Sequence, residues 1–312
     1  MSGLASWVLN PYEVNLIHQH HKNTLRCFQK LHDDTPQSFV YFMAGCLPAT
    51  AILHIRQLSL FSMLSRLPGD PIHLHAENIL ITRKQNNPSW LSRIRALCLQ
   101  YCLPHPLSIL EAPPTKLRWK NLVLSKVIDF WETKLRAEAA PLSSLAHFNP
   151  YYMSLTRPHP LWWTAGSNPY EVSKAVVQCK MLSGRYRTFK LSSKWSESGN
   201  GFCPSPFCHQ VVESLEHILL HCPAYMSSRN NIIMKVKSLE NPAVMELVTT
   251  ALQKPSKYQM QFLLDLSVLP ETISLVQQHG EDILSTLFSI SRSWCYSVHK
   301  DRQRIIKLLQ EV

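Results

Sequence analysis

Glycine is scarce in this chain, 8 residues in 312, where an average protein carries about 7%. No two of the eight frame a G-x-G-x-x-G or G-x-x-x-x-G-K-[ST] loop, so a Rossmann or P-loop nucleotide site is excluded. Acidic side chains are short as well. There are 21 Asp and Glu against 32 Lys and Arg, with 15 His in reserve, and the formal net charge is +11. A surplus of that size points to a polyanionic partner. The N-terminus lacks the charged-then-apolar pattern of a secretory leader, and nine cysteines is an odd number spread along the chain. A disulfide framework is therefore not expected, and a reducing, intracellular setting, nuclear or cytoplasmic, is.

A long apolar run is missing too. Residues 35–55 carry no formal charge, yet Gly45, Pro48, Thr50 and His54 interrupt them. Two short buried helices joined at 45–48 fit that pattern better than a membrane span, and no membrane partner or small-molecule substrate is expected. What remains, 45% hydrophobic and 17% charged residues, suits a globular chain.

The dominant period is helical. Leu91, Ile94, Cys98 and Tyr101 recur at three and four residues, as do Leu124, Ile128, Trp131 and Leu135, which places each set on one helix face. Leu284, Leu287, Phe288, Ser291, Cys295, Val298, Ile305 and Leu309 extend the pattern in one long amphipathic helix, with Arg292, Arg302, Arg304 and Lys307 on its other positions. Cys98 and Cys102 continue an apolar face and should pack in the core. His18, His20 and His21 read as a solvated face. Strict alternation is rare, so strands should be few and short. Prolines at 68–71, 88, 104–106 and 113–114 should end successive helices.

The expected architecture is mostly α, a helical bundle followed by a small Cys3His zinc-binding module and C-terminal helices. Residues 1–140 form the bundle, 141–168 a proline- and aromatic-rich connector, 169–230 a basic arm with the zinc module, and 231–312 a C-terminal helical segment. The connector reads as a domain boundary or as an ordered strap packed on the helices, because Tyr151, Tyr152, Trp162 and Trp163 are costly to leave in water.

The most specific feature is CPSPFCHQVVESLEHILLHC, which spaces its ligand types as Cys203-x4-Cys208-x8-His217-x4-Cys222. Three thiolates and an imidazole are ligands zinc prefers, and four protein ligands close its shell against a catalytic water. A structural Zn2+ site follows. His209 and His221 stand close enough in sequence to replace His217 as fourth ligand.

Directly before this segment, between Glu171 and Glu197, stand Lys174, Lys180, Arg185, Arg187, Lys190 and Lys194 with no acidic residue, and Tyr186, Phe189 and Trp195 are interleaved. Cations suit phosphates and rings suit unpaired bases, so RNA or DNA is the expected partner, with Lys180, Arg185, Tyr186, Arg187, Lys190, Lys194 and Trp195 as contacts.

The run KMLSGRYRTFKLSSKW followed by CPSPFCHQVVESLEHILLHCPAYMSSR resembles the post-polymerase, zinc-binding region of non-LTR (LINE-type, Jockey-like) retrotransposon reverse transcriptases. Upstream, VYFMAGCLPATAILHIRQLSLFSMLSRLPGDP, NPSWLSRIRALCLQYCLPHPL and KLRWKNLVLSKVIDFWETKLR look like the helical segment after the polymerase thumb in such elements. The resemblance spans most of residues 25–225 and departs from the family in the four-residue gap between Cys203 and Cys208. It implies a nucleic-acid-binding tail in which Cys203, Cys208, His217 and Cys222 hold zinc and Arg185, Tyr186 and Arg187 touch nucleic acid. It does not imply polymerase activity in this chain. The family's aromatic-x-Asp-Asp hairpin, which supplies carboxylates for two-metal chemistry, is absent; Asp33-Asp34 follows Leu31 and His32 and should cap the next helix. The expectation is a non-catalytic, truncated or decayed copy; the alternatives are a fragment of an active RNA-directed DNA polymerase and a zinc-stapled helical scaffold for protein partners.

Overall fold

The computed structural model describes residues 6–7, 9–67, 89–192 and 201–311. The expectations that rest on Pro68, Pro71 and Pro88, and on Lys194 and Trp195, fall outside them. The fold is mostly α. Among the described residues the only extended pairing is an isolated antiparallel bridge between Phe202 and Val212.

Helices α1 (Pro11–Phe28), α2 (Gln37–Ala44), α3 (Ala49–Leu64), α4 (Trp90–Gln100), α5 (Pro106–Glu111) and α6 (Lys116–Ala139) form the first part. Then come α7 (Pro169–Leu182), α8 (Met226–Lys237), α9 (Pro242–Gln253), α10 (Ser256–Leu264), α11 (Pro270–His279) and α12 (Asp282–Gln310). Proline opens five of these helices. Pro11, Pro106, Pro169, Pro242 and Pro270 each occupy a first turn, where the missing amide costs nothing and φ is already helical. Asn10, Asn168 and Asn241 cap three of these starts with their side chains. Pro106, expected to end a helix, begins one.

α3 packs against α1, α4 and α6, while α12 packs against α7, α8, α9, α10 and α11. The two groups share one continuous core from Leu31 to Val298. Residues between α6 and α7 join them: Leu145, Phe148, Met153, Leu155, Leu161 and Ala165 are buried. The ring of Phe148 meets that of Phe39 at 4.9 Å. Gly45 sits at φ 59°, where a Cβ would fall 2.0 Å from the backbone of Arg157; glycine alone fits.

Residues 35–55 do form two helices, α2 and α3, broken at Gly45 with a 63° bend. Only together, as that bent pair, are they long and apolar enough to cross a bilayer, and among the described residues no single helix is.

Several faces differ from the sequence reading. On α6 the buried stripe is Trp119, Val123, Val127, Trp131, Leu135 and Ala139, with Leu124 exposed and Ile128 half-buried. Both stripes have helical spacing, and contact with α2 and α3 chooses the phase. On α12, Arg292 and Arg302 are buried, Ile305 is half-buried and Leu309 exposed. Cys102 lies past the end of α4 at φ 51° and is exposed, as is Cys27, whereas Cys98, Cys179 and Cys295 are buried. His18 and His21 are half-buried, their rings tilted against the buried ring of Tyr41 at 5.8 and 5.7 Å, whereas His20 is exposed. Asp34 does not cap α2, whose N-cap is Pro36; its carboxylate receives Arg185 at 3.1 Å and contacts His32 at 2.6 Å.

Candidate metal centre

Pro204 and Pro206 stiffen the turn between Cys203 and Cys208, which is closed by the Cys208 amide donating to the Ser205 carbonyl at 3.0 Å. The Ser205 hydroxyl accepts from the Phe207 amide. The loop is then folded back on itself. The Cys203 amide donates to Val211 at 2.8 Å and the Glu213 amide to Gly201 at 3.0 Å. The reversal passes through Gln210, at φ 55°.

The other two ligand types come from a helical turn started by Ser214, whose hydroxyl accepts from the His217 amide at 3.0 Å. The turn His217–His221 is π-helical. That geometry answers the spacing. Residues i and i+5 lie about 140° apart around an α-helix, so an α-helical segment would turn His217 and Cys222 away from each other. The π turn closes i to i+5, and the Cys222 amide donates to the His217 carbonyl at 2.7 Å. Carbonyls left over at its end find partners: Trp294 donates its indole N–H to Leu219 at 3.1 Å, and Arg229 donates to Cys222 at 2.8 Å.

The result is a buried cluster. One ligand atom from each of Cys203, Cys208, His217 and Cys222 lies within 4.8 Å of every other. The Cys222 sulfur is 3.8 Å from that of Cys203 and 3.6 Å from that of Cys208. A disulfide would need about 2.05 Å, whereas a tetrahedral ion bonded to sulfur at about 2.3 Å places two sulfurs about 3.8 Å apart. The Nε2 of His217 is buried without a hydrogen-bond partner, which a metal bond would satisfy. Burial pushes the thiols of Cys203 and Cys222 up and His217 down, so adjacent thiolates are favourable here with a cation among them. The four residues fit a metal ion. His209 and His221, the alternative fourth ligands, are exposed and outside the cluster.

Glu213, between the two ligand pairs, ties the cluster to the basic segment. Its carboxylate is fully buried, accepts the Phe189 amide at 2.6 Å, and holds Arg302 of α12 at 2.9 Å through both oxygens. The Arg302 guanidinium lies over the rings of Tyr186 and Phe189 at 5.5 and 5.6 Å. Glu213 carries no ligand-like signature in the sequence, and Arg302 reads there only as a polar position of the last helix.

The predicted nucleic-acid contacts separate. Arg187 and Lys190 are exposed, and Arg187 reaches His32 at 3.3 Å. Lys180 is half-buried on α7. Arg185 is half-buried in its pair with Asp34. Tyr186 is turned inward, 7% exposed, with its hydroxyl 2.8 Å from Nδ1 of His299; a base could reach its ring only by opening the core. Lys174, on the same cationic run, is buried and paired with Glu171 at 2.6 Å. No protein-family model matches the chain, and no curated protein or solved structure matches it either.

Proposed function

We propose that this chain is a non-catalytic nucleic-acid-binding protein, in which Cys203, Cys208, His217 and Cys222 hold a structural zinc ion and the adjoining basic segment contacts phosphates. The observation that carries the reading is the Phe189 amide held by Glu213 at 2.6 Å. Arg187 and Lys190 flank that point in sequence, so the loop that folds around the metal also fixes the backbone that presents them. Zinc suits three cysteines and one histidine better than a hard cation does, and with four protein ligands it staples the loop without offering an open position. A closed site of this kind contributes folding free energy.

Two further observations support it. The net charge of +11 favours association with a polyanion, and residues 180–195 and 203–229 resemble the zinc-binding tail of LINE-type reverse transcriptases, for which element RNA or target DNA is the natural partner.

Fluorescence anisotropy with labelled oligonucleotides across a salt series tests the reading. With about four phosphates contacted, log K against log salt should fall with a slope of about −3 for a single strand. Arg187→Glu with Lys190→Glu should abolish binding at a salt concentration where the wild type binds. A flat salt dependence, or unchanged binding by the double variant, would contradict it.

A further inference from the structure

The basic segment borders a groove. A cavity of about 600 Å³ opens between residues 141–147 and 181–191; Arg185, Lys190 and His147 line it together with Leu142, Met181 and Leu215. Among the described residues no carboxylate lines it, although Arg185 is itself paired with Asp34 at 3.1 Å. A second depression, about 520 Å³, is lined by residues between Ala139 and Tyr151 and shares Pro141, Leu142, Ser143 and Ala146 with the first. The two adjoin at those four residues.

At the far end stand two tyrosines that the fold leaves in water, Tyr151 at 71% and Tyr152 at 58% exposure. They do not hang on a loose loop. Arg136 donates to the carbonyls of Pro150 and Met153 at 3.2 and 3.0 Å, and Glu132 holds both Arg136 at 2.7 Å and the Leu155 amide at 3.0 Å. The Asn149 side chain accepts from the Tyr151 amide at 3.1 Å. A turn fixed from both sides thus presents two adjacent rings outward, although hiding them would gain apolar burial. Cations along a groove and ordered rings at its end are what an unpaired strand requires: charge for its phosphates and flat faces for its bases. Duplex nucleic acid, whose bases are already stacked, would use the cations and not the rings.

We infer that this groove is a single-strand track, in which phosphates pass Lys190 beside the Arg185–Asp34 pair and unpaired bases stack on Tyr151 and Tyr152. The inference rests on the nucleic-acid reading above and specifies the form of nucleic acid.

The test compares labelled oligo(dT), oligo(U) and a mixed-sequence duplex on the full chain. Tyr151→Ala with Tyr152→Ala should weaken at least one of the two single strands about tenfold or more while duplex affinity stays within about twofold; Tyr151→Phe with Tyr152→Phe should bind as the wild type. Urea unfolding checks that the alanine variant keeps its fold, as expected for exposed side chains. Wild-type single-strand affinity in the folded alanine variant, or an equal loss for strand and duplex, would overturn the track and leave the nucleic-acid reading standing. A wild-type protein that binds none of the three probes would remove both.

Discussion

Arg302 and Glu213 meet in a two-point ion pair, with Nε and a terminal guanidinium nitrogen each 2.9 Å from the carboxylate and the side chains 5% and 0% exposed. The pair joins the last helix to the loop between the metal-ligand pairs, and through the Phe189 amide to the basic segment. It is the place where the C-terminal helix, the metal centre and the cationic chain meet.

Breaking this pair on one side strands a buried charge, which costs about 3–5 kcal/mol. Glu213→Gln and Arg302→Met should each lower stability by an amount in that range, read from urea unfolding. The double variant should recover part of the loss, because no unpaired charge remains. Additive losses would mean the two side chains do not act as a pair.

The ligand set makes a sharper demand. Purified protein should carry one zinc per chain, and Cys208→Ser or His217→Ala should lose it, whereas His209→Ala and His221→Ala should keep it. Elemental analysis of the four variants beside the wild type decides this. Retention by His217→Ala together with loss by His221→Ala would reassign the fourth ligand.

Acid sensitivity follows from buried imidazoles. His54 accepts from Arg93 at 2.8 Å through Nε2, so it is neutral and gives its Nδ1 proton to Tyr101 at 2.6 Å. Burial first, and then the Arg93 cation, lower it from 6.5 to about 3. Burial lowers His18, His21, His147 and His299 as well. A histidine held neutral in the folded state contributes nothing to pH dependence above about pH 6.5. It destabilises progressively as pH falls from there toward its folded value, because only the unfolded chain takes up the proton. Urea midpoints should therefore drop between pH 7 and pH 5, and His54→Gln should reduce the slope. An unchanged slope would show that His54 is not among the groups responsible.

Two glycines separate backbone strain from crowding. Gly45 and Gly166 have nearly the same left-handed φ, 59° and 60°, but a Cβ on Gly45 would collide with Arg157 and Pro158 at 2.0 and 2.1 Å while one on Gly166 meets nothing within 4 Å. Gly166→Ala should cost about 1–2 kcal/mol from conformation alone, and Gly45→Ala clearly more, measured by thermal or urea unfolding. Equal losses would remove the steric account of how residues 157–158 dock on α2.

What the sequence disclosed depended on how local the cause was. The ligand set Cys203, Cys208, His217 and Cys222 was legible because chemistry and spacing sit within twenty residues, and Pro204, Pro206 and Pro223 shape the turns. The π turn was legible only in hindsight: a five-residue step between His217 and Cys222 does not suit an α-helix face. The phase of α6 was not legible, since the stripes through Val123 and Leu124 overlap and only packing against α2 and α3 distinguishes them. Arg292 and Arg302 read as solvated because their carboxylates, Glu171 and Glu213, lie 121 and 89 residues away. Tyr186 looked like a stacking ring for the same reason, its partner His299 being 113 residues distant.

If a metal-held loop presents the nucleic-acid-binding surface, oligonucleotide affinity must change when the metal is removed. Holo protein, chelator-treated protein with metal loss verified, and the same sample with zinc restored should be titrated with one labelled single strand. The account predicts a loss of about tenfold or more on removal and recovery on readdition. Undiminished binding by verified metal-free protein would contradict it.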